Sequence, residues 1–401
     1  MRPVEAIGMD PSSRRDLLRH GLVGGSLLAA GCLGRQSESW CETGRTRYDG
    51  DVPVSTTARW PMANRTARRT AFNPDTTVPD DVSVYWRYTG CSEVECGVAV
   101  ADGRVFAGRA RLDGRTGSPL GGDWTAYQWP AVVDDMLFIG SHTLEAYDAT
   151  DGSERWTFTP DGESGAVSPP AVANGFVYIS GNIDDPTVYA VDATTGDEAW
   201  RFTPRADCDS PLAVADDTAY AVDDGGTVYA LAAETGEKRW EQSVAGSTRM
   251  GAPVAGGDGL YLPTFDGGVL ALDPADGTER GHWRADADTG RDIAVAEGIV
   301  YVVGPEACHA LATGDGTERW ATDAVGGQTC SVGAESVVVG GDPDLVAISR
   351  SDGTERWRFE TRSVLFGDYE RRGITAAPAL VDDVVYVATE ASDVYALGPA
   401  E

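Results

Sequence analysis

From about residue 81 onward, apolar residues come in short runs separated by Asp, Thr and Gly, with no helical spacing. Val188-Tyr-Ala-Val-Asp-Ala-Thr-Thr-Gly-Asp-Glu-Ala-Trp200 shows the unit. A short apolar strand meets a turn whose glycine admits positive φ, and a second strand follows that is opened by a large ring. Versions recur at 147–156, 228–240, 269–277, 309–320 and 346–357. Trp156, Trp200, Trp240, Trp283, Trp320 and Trp357 are spaced by 44, 40, 43, 37 and 37 residues. A period in that range, made of strands and turns, predicts the blades of a β-propeller.

Each unit carries four strand patterns, and the second is the easiest to count. It falls at Val105, Leu137, Val177, Thr218, Leu260, Val300, Val337 and Val385, which predicts an all-β, eight-bladed propeller over 81–401. The last unit stops after its third strand, while an orphan outer strand, Val82 to Tyr88, precedes the first. Joining the two in one blade closes the ring and removes an open sheet edge. Tyr395 is then expected beside the strand carrying Trp86. The first unit is degenerate, with Gly121 where the tryptophan belongs and Trp124 or Trp129 as substitutes, and Trp283 arrives two residues late.

The first 80 residues read differently. Ser13, Arg14 and Arg15 precede a short apolar run, Gly21 to Gly31, in a pattern that resembles a twin-arginine export signal. Eleven residues are too few to span a ~30 Å hydrocarbon layer as a helix. Leu28-Ala-Ala-Gly-Cys32 resembles a lipobox, which makes Cys32 the expected lipidation site and 1–31 a signal peptide. Residues 32–80 are polar and aperiodic, a tether. Within it, the stretch from Trp60 to Pro74 resembles a lead-in that comes just before the first blade and lies against the propeller, and Asn64-Arg-Thr66 is a glycosylation sequon on a surface segment.

Acidic residues outnumber basic ones 63 to 32, for a net charge of −31, and Lys238 is the only lysine. So acidic a chain suits molar salt, where the Debye length is ~3 Å and self-repulsion is screened. Nucleic acid is disfavoured as a partner, since no basic stripe exists to displace phosphate counterions.

The repeated Asp-x-x-Thr-Gly-x-x-x-Trp, over roughly 81–401, resembles the tryptophan-docking repeat of the pyrroloquinoline-quinone-like propellers of haloarchaeal type. That resemblance implies that Trp86, Trp156, Trp200, Trp240, Trp283, Trp320 and Trp357 dock one blade on the next. Two branches follow from it. One is the quinone- and calcium-dependent dehydrogenases, which typically cover the cofactor with a bond between adjacent cysteines. The other is non-enzymatic and includes the lipid-anchored subunit of the outer-membrane barrel-assembly machinery. This chain has no Cys-Cys pair, no Cys-x-x-Cys-His haem site and no long wall-building insertions. Asp223-Asp-Gly-Gly226 and Asp184-Asp-Pro186 read as turn formers rather than calcium ligands.

Beyond Cys32 there are six thiols, Cys41, Cys91, Cys96, Cys208, Cys308 and Cys330, enough for three disulfides in an exported protein, with Cys91 to Cys96 the favoured pair. His142, His282 and His309 are scattered over different blades and suggest no catalytic or metal group; His20 lies in the signal. The longest loop between blades, 361–375, carries Tyr369, Arg371 and Arg372. With Arg205, Arg249 and Arg291 in equivalent loops, these are expected to form a basic spot for an acidic partner. The chain thus reads as an exported, lipid-anchored scaffold at the outer face of the cytoplasmic membrane, binding other cell-surface or membrane proteins without a cofactor. A quinone- and calcium-dependent dehydrogenase is the first alternative, and glycan or cell-wall binding the second.

Overall fold

Runs such as Gly259–Thr264 and Val384–Ala388 are apolar at successive rather than alternate positions, which suits strands covered on both faces. In the computed structural model both are buried throughout. The structure describes residues 44–47, 52, 55, 57, 59–90, 97–121, 129–160, 166–182, 186–244, 251–264, 267–285, 292–323, 325–366, 369–374 and 376–400. Among these, every regular element is a strand, and the strands gather into eight small antiparallel sheets set in a ring, with one extra hairpin. Blade 4 shows the pattern from the axis outward: Ala213–Ala215, Thr218–Val222, Thr227–Ala232 and Lys238–Ser243.

Blade 8 takes Ala379–Val381, Val384–Ala388 and Asp393–Pro399 from the end of the chain and Val82–Thr89 from its beginning. Arg87 pairs with Tyr395 and Trp86 with Ala396, as the closure requires. A fifth strand, Gly44–Arg47, pairs with the outside of Val82–Thr89.

The indoles sit at the junctions between blades. Trp200 of blade 3 lies on Gly236 of blade 4, and Trp156 of blade 2 lies on Gly196 of blade 3. A Cβ on Gly236 would come within 2.6 Å of the Trp200 ring, and Gly236 has φ +71°, so both close approach and backbone shape demand glycine. The Trp200 Nε1 donates to the Ala233 carbonyl at 2.8 Å, and the Tyr178 hydroxyl donates to that same carbonyl at 3.1 Å. Trp240 and Tyr220 share the Pro274 carbonyl in the same way, and Trp86 and Tyr386 share that of Gly114. At the last junction Trp357 donates to the Pro79 carbonyl at 2.8 Å, so a residue three positions before the closing strand supplies what a hairpin turn supplies elsewhere.

Two irregular units are resolved by small compensations. Six of the indoles stand opposite an alanine of the neighbouring strand, such as Ala190 for Trp200, with a bulge after the pair. In blade 5 Gly281 takes that place opposite Ala271, and Trp283 comes two positions later. The missing side chain of Gly281 leaves room for the indole, since a Cβ there would meet Trp283 Nε1 at 2.4 Å, and the ring still reaches Gly316.

Blade 1 has three strands among the described residues, Val98–Ala101, Arg104–Ala107 and Ala110–Asp113. Trp129 does not stand in for the absent docking residue, because it packs against Gly97 and Ala376 beside the axis; Trp124 lies outside the described residues. The replacement is Arg111. Its buried guanidinium donates to Ala149 at 3.3 Å and Leu120 at 2.7 Å, and Ala149 holds in its turn the place that Ala193 and Ala233 hold in theirs. Arg111→Met is expected to leave both carbonyls without these donors and lower stability by about 1–3 kcal/mol in urea unfolding.

The hairpin turns also carry a pH signature. Asp148 accepts Arg155 and the N–H groups of Thr150 and Asp151, which hold its carboxyl at about 2. Asp192 is held below the usual range by the N–H groups of Thr195 and Thr194. A carboxyl with a depressed folded pKa stabilises the fold above its unfolded value of roughly 4 and loses that contribution as pH falls towards the folded value. Melting temperature by circular dichroism is therefore expected to drop between the ordinary carboxylate range and about 2, the value at which Asp148 titrates.

Candidate functional site in the central channel

In a propeller the innermost strand of every blade has a neighbour on one side only, so its other edge presents N–H groups to the axis. Here a segment of the chain itself meets them. The N–H groups of Val100, Val132, Val214, Ala255, Val295 and Val332 donate to the carbonyls of Trp60, Pro61, Ala67, Arg68, Thr70 and Ala71, at 2.6–2.9 Å. These belong to blades 1, 2, 4, 5, 6 and 7, in ring order. Asn73 Nδ2 extends the series to blade 8, donating to Leu380 O at 2.8 Å. Asn64, Arg65, Arg69 and Ala71 all adopt positive φ, which coils the segment tightly enough to follow the ring. The stretch from Trp60 on, expected as a lead-in within the tether, is packed along the axis of the propeller, and Trp60 is fully buried.

The coil brings together a polar group that no local pattern announces. Asn64 is 2% exposed, and its Nδ2 donates to both carboxylate oxygens of Asp292, at 2.9 and 3.2 Å. Thr329 Oγ1 and the Ile293 N–H also donate to that carboxylate, at 3.3 and 3.2 Å. Burial raises the Asp292 pKa, an effect opposed by the Arg69 charge and these donors. The expectation of a surface sequon at Asn64 is therefore corrected: the amide nitrogen is enclosed and engaged. Nearby, Trp60, Asn64, Gly97, Trp129, Pro130 and Ala376 line a shallow recess that opens to solvent.

Two of the arginines expected to form a basic spot are met by acids of their own blades or loops. Arg205 is ion-paired with Glu241, and Arg372 lies 2.8 Å from Asp342 and 3.9 Å from Glu370. Their charges are met by adjacent acids, so these two offer no free cation to a partner. The loop that carries Tyr369 and Arg371 is partly a hairpin, in which Tyr369–Arg371 pairs with Val364–Phe366. Arg249 and Arg291 lie outside the described residues, as do Arg14, Arg15, Cys32, Cys91 and Cys96.

Cys208, Cys308 and Cys330 are free and buried, so the expected set of three disulfides does not form. Burial pushes the Cys208 and Cys308 thiols up to about 12 and raises Cys330 as well, which keeps all three protonated and unreactive at neutral pH. Asp223 accepts the Tyr229 hydroxyl at 2.7 Å and the Thr227 N–H at 2.8 Å, the work of a turn; Asp184 lies outside the described residues. His142 is exposed, His282 meets Thr264 and His309 meets Glu318. Among the described residues no three of His, Cys, Asp and Glu converge as a metal site.

Comparison with known proteins agrees with the propeller fold. A family model described as outer membrane protein assembly factor BamB matches residues 140–282 and 278–401. The crystal structure of BamB from Moraxella catarrhalis superposes with a TM-score of 0.63 at 15% identity, covering 79% of this chain and 100% of that one. Quinohemoprotein alcohol dehydrogenase from Comamonas testosteroni gives 0.69 at 16%, covering 87% and 82%. A computationally designed protein, Ika8, gives 0.64 at 17%, covering 77% and 97%. At such identities the three share a fold with this chain, and an assembly factor, an enzyme and a design on one scaffold show that fold alone does not assign activity. No curated protein sequence matches the chain.

Proposed function

The chain belongs to the family described as outer membrane protein assembly factor BamB, and from that premise we propose that it is a non-enzymatic, protein-binding scaffold. In this reading Arg14 and Arg15 direct export, Cys32 carries a lipid, and the acidic propeller works at the outer face of the cytoplasmic membrane in high salt, where it binds other surface or membrane proteins.

The observation that carries the proposal is the occupied channel. A quinone with its calcium ion on the axis needs open space there and a cage of oxygen ligands. Here the segment from Trp60 to Asn73 is hydrogen-bonded to the inner strands of seven blades, and the recess left beside Trp60 and Trp129 is shallow. The Asp292 carboxylate beside the coil is already held by four hydrogen bonds. That occupancy, with no cluster of three His, Cys, Asp or Glu among the described residues, supports a reading without the cofactor. Glycan binding is less well supported, because seven of the described indoles are committed to blade junctions rather than set in rows on a face.

Two measurements test the reading. Purified protein mixed with the quinone and calcium is expected to acquire no bound chromophore and to reduce no dye with alcohols or sugars; turnover would overturn the proposal. Affinity isolation from membranes in high salt is expected to retain defined protein partners at fixed stoichiometry, and recovery of the propeller alone would count against a scaffold.

A further inference from the structure

Arg69 is the most conspicuous side chain in the channel that nothing above employs. It is 4% exposed, sits on the coil between the residues that bind blades 5 and 6, and has φ +63°. Among the described residues its guanidinium makes no hydrogen bond and no ion pair, and its Nε is sealed from solvent without a partner. Asp292 is near enough to influence its charge but lies beyond ion-pair distance, and the Asp292 oxygens are filled by Asn64, Thr329 and Ile293. A buried guanidinium with open donors is costly, by several kcal/mol for an uncompensated ion, and native proteins rarely leave one without an acceptor.

We infer that the channel holds a small monovalent anion on Arg69, a halide or a short carboxylate, accepted by the planar fork of guanidinium N–H groups. The fork suits such a ligand because it presents parallel donors at fixed geometry and remains charged when buried. Asp292 balances the cation at a distance without blocking it. Its carboxylate also repels the anion, which keeps the affinity modest. The anion is a structural ligand that pins the coil to blades 6 and 7, and its presence is independent of whether the propeller binds proteins.

The test compares melting temperatures while chloride or acetate replaces a bulky organic sulfonate at constant ionic strength. A saturating rise is expected, because a ligand that binds only the folded state stabilises it by RT ln(1 + [L]/Kd). Arg69→Met should abolish the saturating part, and Asp292→Asn should tighten the site several-fold, a shift in the opposite direction that loss of packing would not give. The chloride and acetate arms report which anion the site prefers, and saturation by either supports the inference. If Arg69→Met fails to fold, the unaltered protein still decides: crystals grown in bromide should show anomalous density against the guanidinium. A water molecule there, or equal anion responses in the unaltered and Arg69→Met proteins, would overturn the inference.

Discussion

A chain begun at Asp81, lacking the coil but keeping the closing strand, is expected to lose cooperative folding. Trp60, Met62, Ala71 and Val78 are all buried in the intact protein. Loss of Trp60 alone counts as a core truncation of about 3–5 kcal/mol. Six inner-strand N–H groups lose their acceptors too, at about 0.5–1.5 kcal/mol each. Trp357 loses the Pro79 carbonyl as well. Together these are comparable with the whole stability of an ordinary domain, about 5–15 kcal/mol. The measurement is urea unfolding by tryptophan fluorescence, followed by hydrogen exchange at Val100, Val132, Val214, Ala255, Val295 and Val332. Adding residues 59–80 as a separate peptide should restore protection at those six amides. A truncated chain that melts in one sharp step close to the intact protein would show that the coil is an accessory.

Among single substitutions the largest loss is expected at a blade junction. Trp200→Ala removes a nearly buried indole that spans blades 3 and 4, with an expected cost of about 3–5 kcal/mol. The ring leaves a space bounded by Gly236 and Tyr178, and neither can move into it without breaking the bond from Tyr178 to Ala233. Trp200→Phe keeps part of the ring, and Ala233 retains the tyrosine as donor, so it should cost clearly less. The urea midpoint should shift with little change in slope if the ring unfolds as one unit. Gly236→Ala approaches the same junction from the other side: its Cβ would fall 2.6 Å from the Trp200 ring at φ +71°, so destabilisation is expected there too. Equal stability of Trp200→Ala and the unaltered protein would remove the docking role.

How far the sequence reached depends on the range of the interaction that fixes each feature. Thr195 and Gly196 next to a strand and four residues before Trp200 encode a hairpin locally, and repeating that code at a near-constant period leaves a ring as the arrangement that buries every indole. The closing strand was equally legible, because one unit lacked an outer strand and the other end of the propeller region supplied it. Blade 1 was legible only as a defect: Arg111 lies on a third strand, and nothing near it in sequence marks it as the replacement for an indole.

The sequence by itself therefore determined the blade, the number of blades and the place where the circle closes, since each follows from short apolar runs, turn chemistry and counting. Tertiary structure alone decided that an aperiodic stretch from Trp60 to Asn73 fills the axis, that Asn64 is enclosed against Asp292, and that the Arg69 guanidinium meets no partner among the described residues. The physical reason is that a strand's own hydrogen bonds are written in its neighbours along the chain. The open inner edges of a ring exist only once the ring has formed, and whatever satisfies them carries no period that could reveal it.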